Sequence, residues 1–135
     1  MFVNVEHIGI AVKELAEAEN LYSRLFSVLP YKREMVESES VSTSFFKINE
    51  TKIELLEATS SDSVISKFIE KKGEGFHHVA FEVDDIVSEM ARLKGEGFTL
   101  LSETPKRGAD NKLVCFLHPK STNGLLIELC QEIRQ

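Results

Sequence analysis

Short runs of alternating hydrophobic and polar residues recur along the chain, and two of them lead into apolar patterns of helical spacing. Residues 5–12 alternate up to Val12, as expected of a strand with one buried face. Residues 76–83 alternate in the same way. After each run, apolar residues recur at i, i+3, i+4 and i+7, which predicts an amphipathic helix. The apolar positions of these helices are Leu15, Ala18, Tyr22, Leu25, Phe26 and Leu29 in the first, and Ile86, Met90, Leu93 and Gly97 in the second.

The two halves of the chain resemble each other. VEHIGIAV at 5–12 is echoed by FHHVAFEV at 76–83, and KIELL at 52–56 is echoed by LIELC at 126–130. Strand-like runs at 41–48 and 52–57 close the first half, and runs at 112–118 and 125–130 close the second. We interpret the chain as one α+β domain of two βαβββ modules, at about 1–59 and about 76–135. A short helix and a linker over 60–75 join them.

Composition and charge narrow the classes of protein. The chain has 135 residues and a formal charge of -6, with no block of Lys and Arg, which argues against nucleic-acid binding. No apolar stretch approaches ~18 residues, and the first residues do not read as a signal peptide. Cys115 and Cys130 lie in apolar runs, as buried reduced thiols do. These features predict a cytoplasmic protein that does not enter a membrane.

Four polar residues occupy equivalent positions in the two modules. Strand alternation places His7 and His78 on the small-residue face of their strands, opposite the bulky residues that the helices should cover. Glu54 and Glu128 each interrupt an apolar run, and a lone carboxylate is costly to bury without a partner. If the modules pack with pseudo-twofold symmetry, the four side chains converge. Imidazoles and carboxylates suit a borderline divalent ion such as Zn, Co, Ni or Mn.

Other candidate groups have simpler interpretations. Any one of the four residues could instead be a hydrogen-bonded core histidine or a glutamate on a solvated edge. His77 should pack or cap, because its parity points it towards the helices, and His118 should end a strand before Pro119. No feature of the sequence gives Cys115 or Cys130 the environment of a reactive thiolate.

Six segments carry a resemblance to a known family: HIGIAV (7–12), TKIELL (51–56), GFHH (75–78), EVDDI (82–86), FLHPK (116–120) and GLLIEL (124–129). In these segments the chain resembles the vicinal-oxygen-chelate superfamily, which includes glyoxalase I, and within it the methylmalonyl-CoA epimerase family. This resemblance implies a cupped, partly closed mixed sheet with helices on its convex side, and a homodimer. It implies that His7, His78 and Glu128 bind one divalent metal ion and that Glu54 completes the site.

The resemblance also implies an activity. We expect a metal-dependent epimerase that interconverts the stereoisomers of an acyl-CoA substrate, methylmalonyl-CoA, through an enolate. Glu128 is the expected base and Glu54 the expected second acid/base, whereas Glu37 and Glu39 cannot be aligned with a family carboxylate. The same ligand set also fits glyoxalase I. A metal-free binding protein of the superfamily is the alternative that involves no catalysis.

Overall fold

The computed structural model describes residues 1–134 and contains eight strands and three α-helices in that range. Their order confirms the α+β class and the two tandem βαβββ modules, with a connecting helix between them. The elements are β1 (Phe2–Ala11), α1 (Leu15–Phe26), β2 (Lys32–Val36), β3 (Val41–Ile48), β4 (Thr51–Ala58), α2 (Val64–Lys72), β5 (Gly75–Val83), α3 (Ile86–Gly95), β6 (Lys106–Gly108), β7 (Lys112–Leu117) and β8 (Ile127–Glu132).

The chain divides into two compact units, each with its own order of hydrogen-bonded strands. The central unit comprises residues 8–77, and its strand order is β2-β3-β4-β1. The terminal unit comprises residues 1–7 and 78–134, and its strand order is β1-β5-β8-β7-β6. β5 and β8 run parallel, whereas β6, β7 and β8 pair antiparallel. Both chain ends of the described range therefore contribute to one unit.

In the central unit, alternation along β4 separates two layers. Leu55 faces α1 and packs in a core with Leu15 and Phe46. Leu56 points the other way and packs with Val41 and the connecting helix α2. α1 therefore covers the bulky face, as predicted, while α2 packs on the face that carries Glu54.

In the terminal unit, α3 packs on one face of β7 and β8. Leu129 and Cys115, a cross-strand pair, are buried in this core with Met90 of α3. Asp85 caps α3, because its side chain accepts a hydrogen bond from the Ser88 backbone N–H at 3.2 Å. The odd-numbered residues of β8 therefore pack in this core, and the even-numbered ones point to the opposite face.

Three apolar positions predicted for the helices are not part of their buried faces. α1 ends at Phe26, where Ser27 turns the chain with a φ of 60°, so Leu29 lies beyond the helix and is 81% exposed. Leu25 is 67% exposed because it is turned about 100° from Phe26, which packs in the core. Gly97 lies after the end of α3, in a turn with a φ of 98°.

The residues 32–36 and 106–108 form strands that the pattern did not locate. β2 is an outermost strand of the central unit and β6 of the terminal unit, and they are only five and three residues long. Edge strands are short and polar in many proteins, so they give little hydrophobic alternation. Within residues 1–134, none of the helices is both long and apolar enough to cross a bilayer.

Candidate functional site

Three of the four predicted ligands meet in the terminal unit. The Nε2 atoms of His7 and His78 are 3.1 Å apart. Glu128 Oε1 lies 3.1 Å from Nε2 of His78 and 3.5 Å from Nε2 of His7. All three residues are buried, with 3% to 5% of their surface exposed. The two imidazoles and the carboxylate thus direct polar atoms at one small region.

The register of the strands explains this convergence. Glu128 lies between Ile127 and Leu129, which pack towards α3, so alternation sends its carboxylate to the opposite face. On that face its neighbours are Ala80 on the parallel strand and Phe116 on the antiparallel one. The small side chain of Ala80 leaves space beside the carboxylate, and Phe116 lies edge-on to the His78 ring with centroids 5.8 Å apart.

The imidazoles govern the charge of Glu128. Burial alone would raise the pKa of this carboxyl, but the charge and hydrogen bonding of His7, followed by those of His78, outweigh it and hold the pKa well below its ordinary value. Glu128 is therefore an ionised carboxylate at physiological pH.

The separations of these three atoms fit a metal ion. Ligand atoms about 2.1 Å from one ion stand roughly 3.0–3.4 Å from one another at octahedral or tetrahedral angles. The observed separations of 3.1, 3.1 and 3.5 Å fall close to that range. Two imidazole nitrogens and a carboxylate oxygen are ligands of Zn, Co, Ni and Mn in proteins. The donor set of the terminal unit can therefore hold a divalent ion.

The fourth predicted ligand, Glu54, lies on β4 in the central unit. It is 4% exposed, pairs with Phe45 across the strands and is flanked by Ile53 and Leu55, which pack towards α1. Its burial and its parity match those of Glu128. Its part in a shared site stays a prediction, taken up below.

Glu6 is a polar residue of the site that alternation alone misses. The strand pattern groups it with Ile8 and Ile10, on the face expected to meet the helices. In the structure it is 3% exposed, and its Oε1 lies 2.7 Å from Nδ1 of His7. The argument applied to Glu54 and Glu128 would have found it: a lone carboxylate on an apolar face needs a partner.

The remaining candidates behave as predicted. His77 packs against Phe68 of α2, with ring centroids 4.9 Å apart. His118 follows the last residue of β7, and its Nδ1 accepts a hydrogen bond from the Lys120 backbone N–H. Cys115 and Cys130 are free and buried.

The cysteine thiols are poorly suited to act as nucleophiles. Burial raises the pKa of both, and the charges of Glu128 and Glu6 raise that of Cys130 further. The two unaligned carboxylates, Glu37 and Glu39, form an exposed 3₁₀ turn just before β3.

Comparison with known proteins places the chain in a family. The profile of the glyoxalase/bleomycin resistance protein/dioxygenase superfamily matches residues 6–116. The mitochondrial methylmalonyl-CoA epimerase of Dictyostelium discoideum is 39% identical over 126 residues, which cover 93% of this chain and 76% of that protein. The chain belongs to the methylmalonyl-CoA epimerase family.

Solved structures of the methylmalonyl-CoA epimerase family have the same fold. A variant of the Streptomyces coelicolor methylmalonyl-CoA epimerase in complex with 2-nitronate-propionyl-CoA superposes with a TM-score of 0.95 at 32% identity, covering 98% of this chain and 96% of that one. A methylmalonyl-CoA epimerase in complex with methylmalonyl-CoA and NH4+ gives the same TM-score, identity and coverage. These epimerases are isomerases, the class of enzyme that the sequence predicts.

Proposed function

We propose that this protein is a divalent-metal-dependent epimerase that interconverts the stereoisomers of methylmalonyl-CoA through an enolate. The observation that carries the proposal is the convergence of His7, His78 and Glu128 on one buried region, in a chain whose relatives are methylmalonyl-CoA epimerases. The substrate is inferred from those relatives, two of which hold acyl-CoA ligands in their structures.

The proposed ligands of the ion are His7, His78, Glu128 and Glu54. The first three have the separations described above, and the buried carboxylate of Glu54 occupies the position in the first module that Glu128 occupies in the second. Zn, Co, Ni and Mn all accept this combination of nitrogen and oxygen ligands.

Epimerisation requires that the proton on the carbon next to the thioester be removed and returned on the opposite face. A divalent ion, when bound, supplies electrostatic stabilisation of the negative charge that develops on the thioester oxygen. We assign the removal of the proton to Glu128, which is ionised and buried at the site. Because its pKa is low, Glu128 holds a proton weakly, so the transfer depends on strong stabilisation of the enolate.

We assign the return of the proton to Glu54. This residue comes from the other module, and a pseudo-twofold arrangement of the modules would present its carboxyl group to the opposite face of the substrate carbon. In this step Glu54 would be protonated and released from the ion; it gives its proton to the enolate carbon while Glu128 keeps the proton that it removed. Reaction in the reverse direction, or exchange of both carboxyl groups with solvent, restores the starting protonation states. A positioned acid or base of this kind contributes about 10²–10⁴-fold in rate.

The test is a proton-exchange assay with the metal-loaded protein in D2O. The α-proton of methylmalonyl-CoA should exchange for deuterium, and single-stereoisomer substrate should racemise, as followed by NMR. Glu128→Gln should slow both reactions by about 10²–10⁴-fold, because the amide cannot take up the proton, while most of the bound metal is retained. The matched control is Glu132→Gln, an exposed carboxylate on the same strand and face, which should exchange at the wild-type rate.

Three results would overturn parts of the proposal. If Glu128→Gln exchanges the α-proton as fast as the wild type, Glu128 is not the base. Isomerisation of the hemithioacetal of methylglyoxal and glutathione, without exchange on methylmalonyl-CoA, would assign the protein to glyoxalase I chemistry. Ligand binding that persists in His7→Ala, in a protein without stoichiometric metal, would favour the non-catalytic binding protein.

We also propose that the protein is a homodimer, as the family resemblance implies, and that it acts in the cytoplasm, where the buried thiols of Cys115 and Cys130 would stay reduced. Light scattering of the purified protein tests the first part, with twice the chain mass of 15.2 kDa as the expected result. Cell fractionation tests the second.

A further inference from the structure

The buried carboxylate of Glu6 contacts the side of His7 that faces away from His78. Glu6 Oε1 is 2.7 Å from Nδ1 of His7, whereas Nε2 of the same ring is 3.1 Å from Nε2 of His78. A separation of 2.7 Å is typical of a hydrogen bond between a nitrogen and an ionised carboxylate. The imidazole of His7 is therefore held between a carboxylate on one side and the proposed metal position on the other.

The chemistry of this contact fixes where the proton of His7 lies. An ionised carboxylate has only acceptor atoms, so Nδ1 of His7 must be the donor. In a neutral imidazole the other nitrogen then carries a lone pair. This lone pair, on Nε2, is directed at His78 and Glu128, where a metal ion would accept it.

We propose that Glu6 is a positioning residue for the metal site: its carboxylate holds His7 in the Nδ1–H tautomer and in the orientation that presents the Nε2 lone pair to the ion. The inference rests on the proposed function for the identity of that ion. It adds a residue that acts through His7 and touches neither metal nor substrate. Carboxylates in this position fix the orientation of metal-bound histidines and increase their basicity.

A carboxylate precedes the ligand histidine in the first module only. The residue before the second ligand histidine is His77, whose ring packs on Phe68 in the central unit. The two equivalent positions thus carry different side chains with different contacts. Burying the charge of Glu6 is unfavourable without a partner, and Nδ1–H of His7 supplies one.

The first test needs no variant. Long-range ¹H–¹⁵N spectra of the metal-free protein distinguish protonated from unprotonated ring nitrogens, and they are recorded at rising pH until the His7 ring carries a single proton. We expect His7 to show a protonated Nδ1 and an unprotonated Nε2, with the signals assigned by their loss in His7→Gln. A protonated Nε2 with an unprotonated Nδ1 would overturn the inference.

The second test measures metal affinity by competition with a chelator, using Zn²⁺ and Co²⁺ separately. Glu6→Gln should bind about 10–100-fold more weakly than the wild type, because a neutral amide accepts weakly and can also donate to Nδ1. The matched control is Glu82→Gln. The carboxylate of Glu82 lies in the same unit and accepts a hydrogen bond from Asn4 Nδ2 at 2.6 Å, so this variant should bind metal with wild-type affinity. The fold of each variant is checked by circular dichroism.

The outcomes separate this inference from the proposed function. If the wild type binds Zn²⁺ or Co²⁺ and folded Glu6→Gln binds equally well, Glu6 does not position the ligand, while the metal site stands. If the wild type binds neither ion, and Ni²⁺ and Mn²⁺ in the same assay do not bind either, the proposed metal site fails, and the Nδ1–H tautomer in the metal-free spectrum still decides whether Glu6 orients His7. Where Glu6→Gln does not fold, the wild-type spectrum alone decides.

Discussion

Metal binding should raise the melting temperature of this protein by an amount that can be worked out in advance. His7, His78 and Glu128 approach one another only in the folded chain, so an ion bound there stabilises the folded state alone. With free metal at about 100 times the dissociation constant, the added stability is about 2.7 kcal/mol. The perturbation is the addition of Zn²⁺ or Co²⁺ to protein stripped with a chelator.

The length of the chain converts this energy to temperature. At about 2.1 cal/mol/K per residue, a chain of 135 residues has an unfolding entropy of roughly 280 cal/mol/K near 60 °C. Each kcal/mol therefore raises Tm by about 3.5 °C, and 2.7 kcal/mol raises it by about 10 °C. A variant that binds 100-fold more weakly gains only about 0.4 kcal/mol at the same metal concentration, or roughly 1.5 °C.

The assay is differential scanning calorimetry with and without metal on the wild type, His78→Asn and His118→Asn. His78→Asn removes a proposed ligand and should lose most of the rise. His118→Asn removes a histidine of the same unit that only caps a turn, and should keep all of it. The reasoning is refuted if metal leaves the wild-type Tm unchanged, or if His78→Asn gains as much as the wild type.

Three further predictions concern stability and reactivity. Leu129→Ala, in the fully buried core under α3, should lower the free energy of unfolding by about 2–5 kcal/mol in urea titration; a loss below about 1 kcal/mol would contradict the packing described. Burial would raise the pKa of Glu19, but hydrogen bonds donated by Arg33 and Ser44 outweigh this effect and lower the pKa. At neutral pH the free energy of unfolding of the wild type should therefore exceed that of Glu19→Gln by about 1 kcal/mol. This advantage should shrink as the pH falls below the ordinary glutamate pKa of about 4.3, and an advantage that grows in acid would refute the assignment. Burial raises the pKa of the thiols of Cys115 and Cys130, so they should react with a thiol reagent only when the protein unfolds. Rapid labelling of the native protein would contradict this prediction.

Periodicity predicted the parts of the fold that have one buried face. Ile127 and Leu129 pack in the core, so strand alternation directs the carboxylate of Glu128 to the opposite face. The same alternation predicted that His7 and His78 turn away from the bulky residues of their strands, and their rings meet there. The repeat added what alternation cannot give, namely that residues distant in the chain occupy equivalent positions. The convergence of Glu54 with them stays a prediction.

The sequence was less informative where residues are weakly buried or where the contacts of a side chain differ from those that strand alternation predicts. β2 and β6 are short edge strands, so few of their residues are fully buried and the pattern fades. Leu25 and Leu29 are apolar yet exposed, which helical spacing cannot foresee. Alternation assigns Glu6 to the face expected to meet the helices, whereas its Oε1 lies 2.7 Å from Nδ1 of the adjacent His7.

The discontinuous make-up of the terminal unit has a consequence for biosynthesis. His7 emerges from the ribosome 71 positions before His78, and Glu128 follows later still. Residues 8–77 are contiguous and can begin to collapse while translation continues, since domains form progressively as the chain emerges. The three proposed ligands can come together only after Glu128 has been synthesised. A chain terminated before Glu128 would therefore lack the assembled ligand set, even if residues 8–77 had folded.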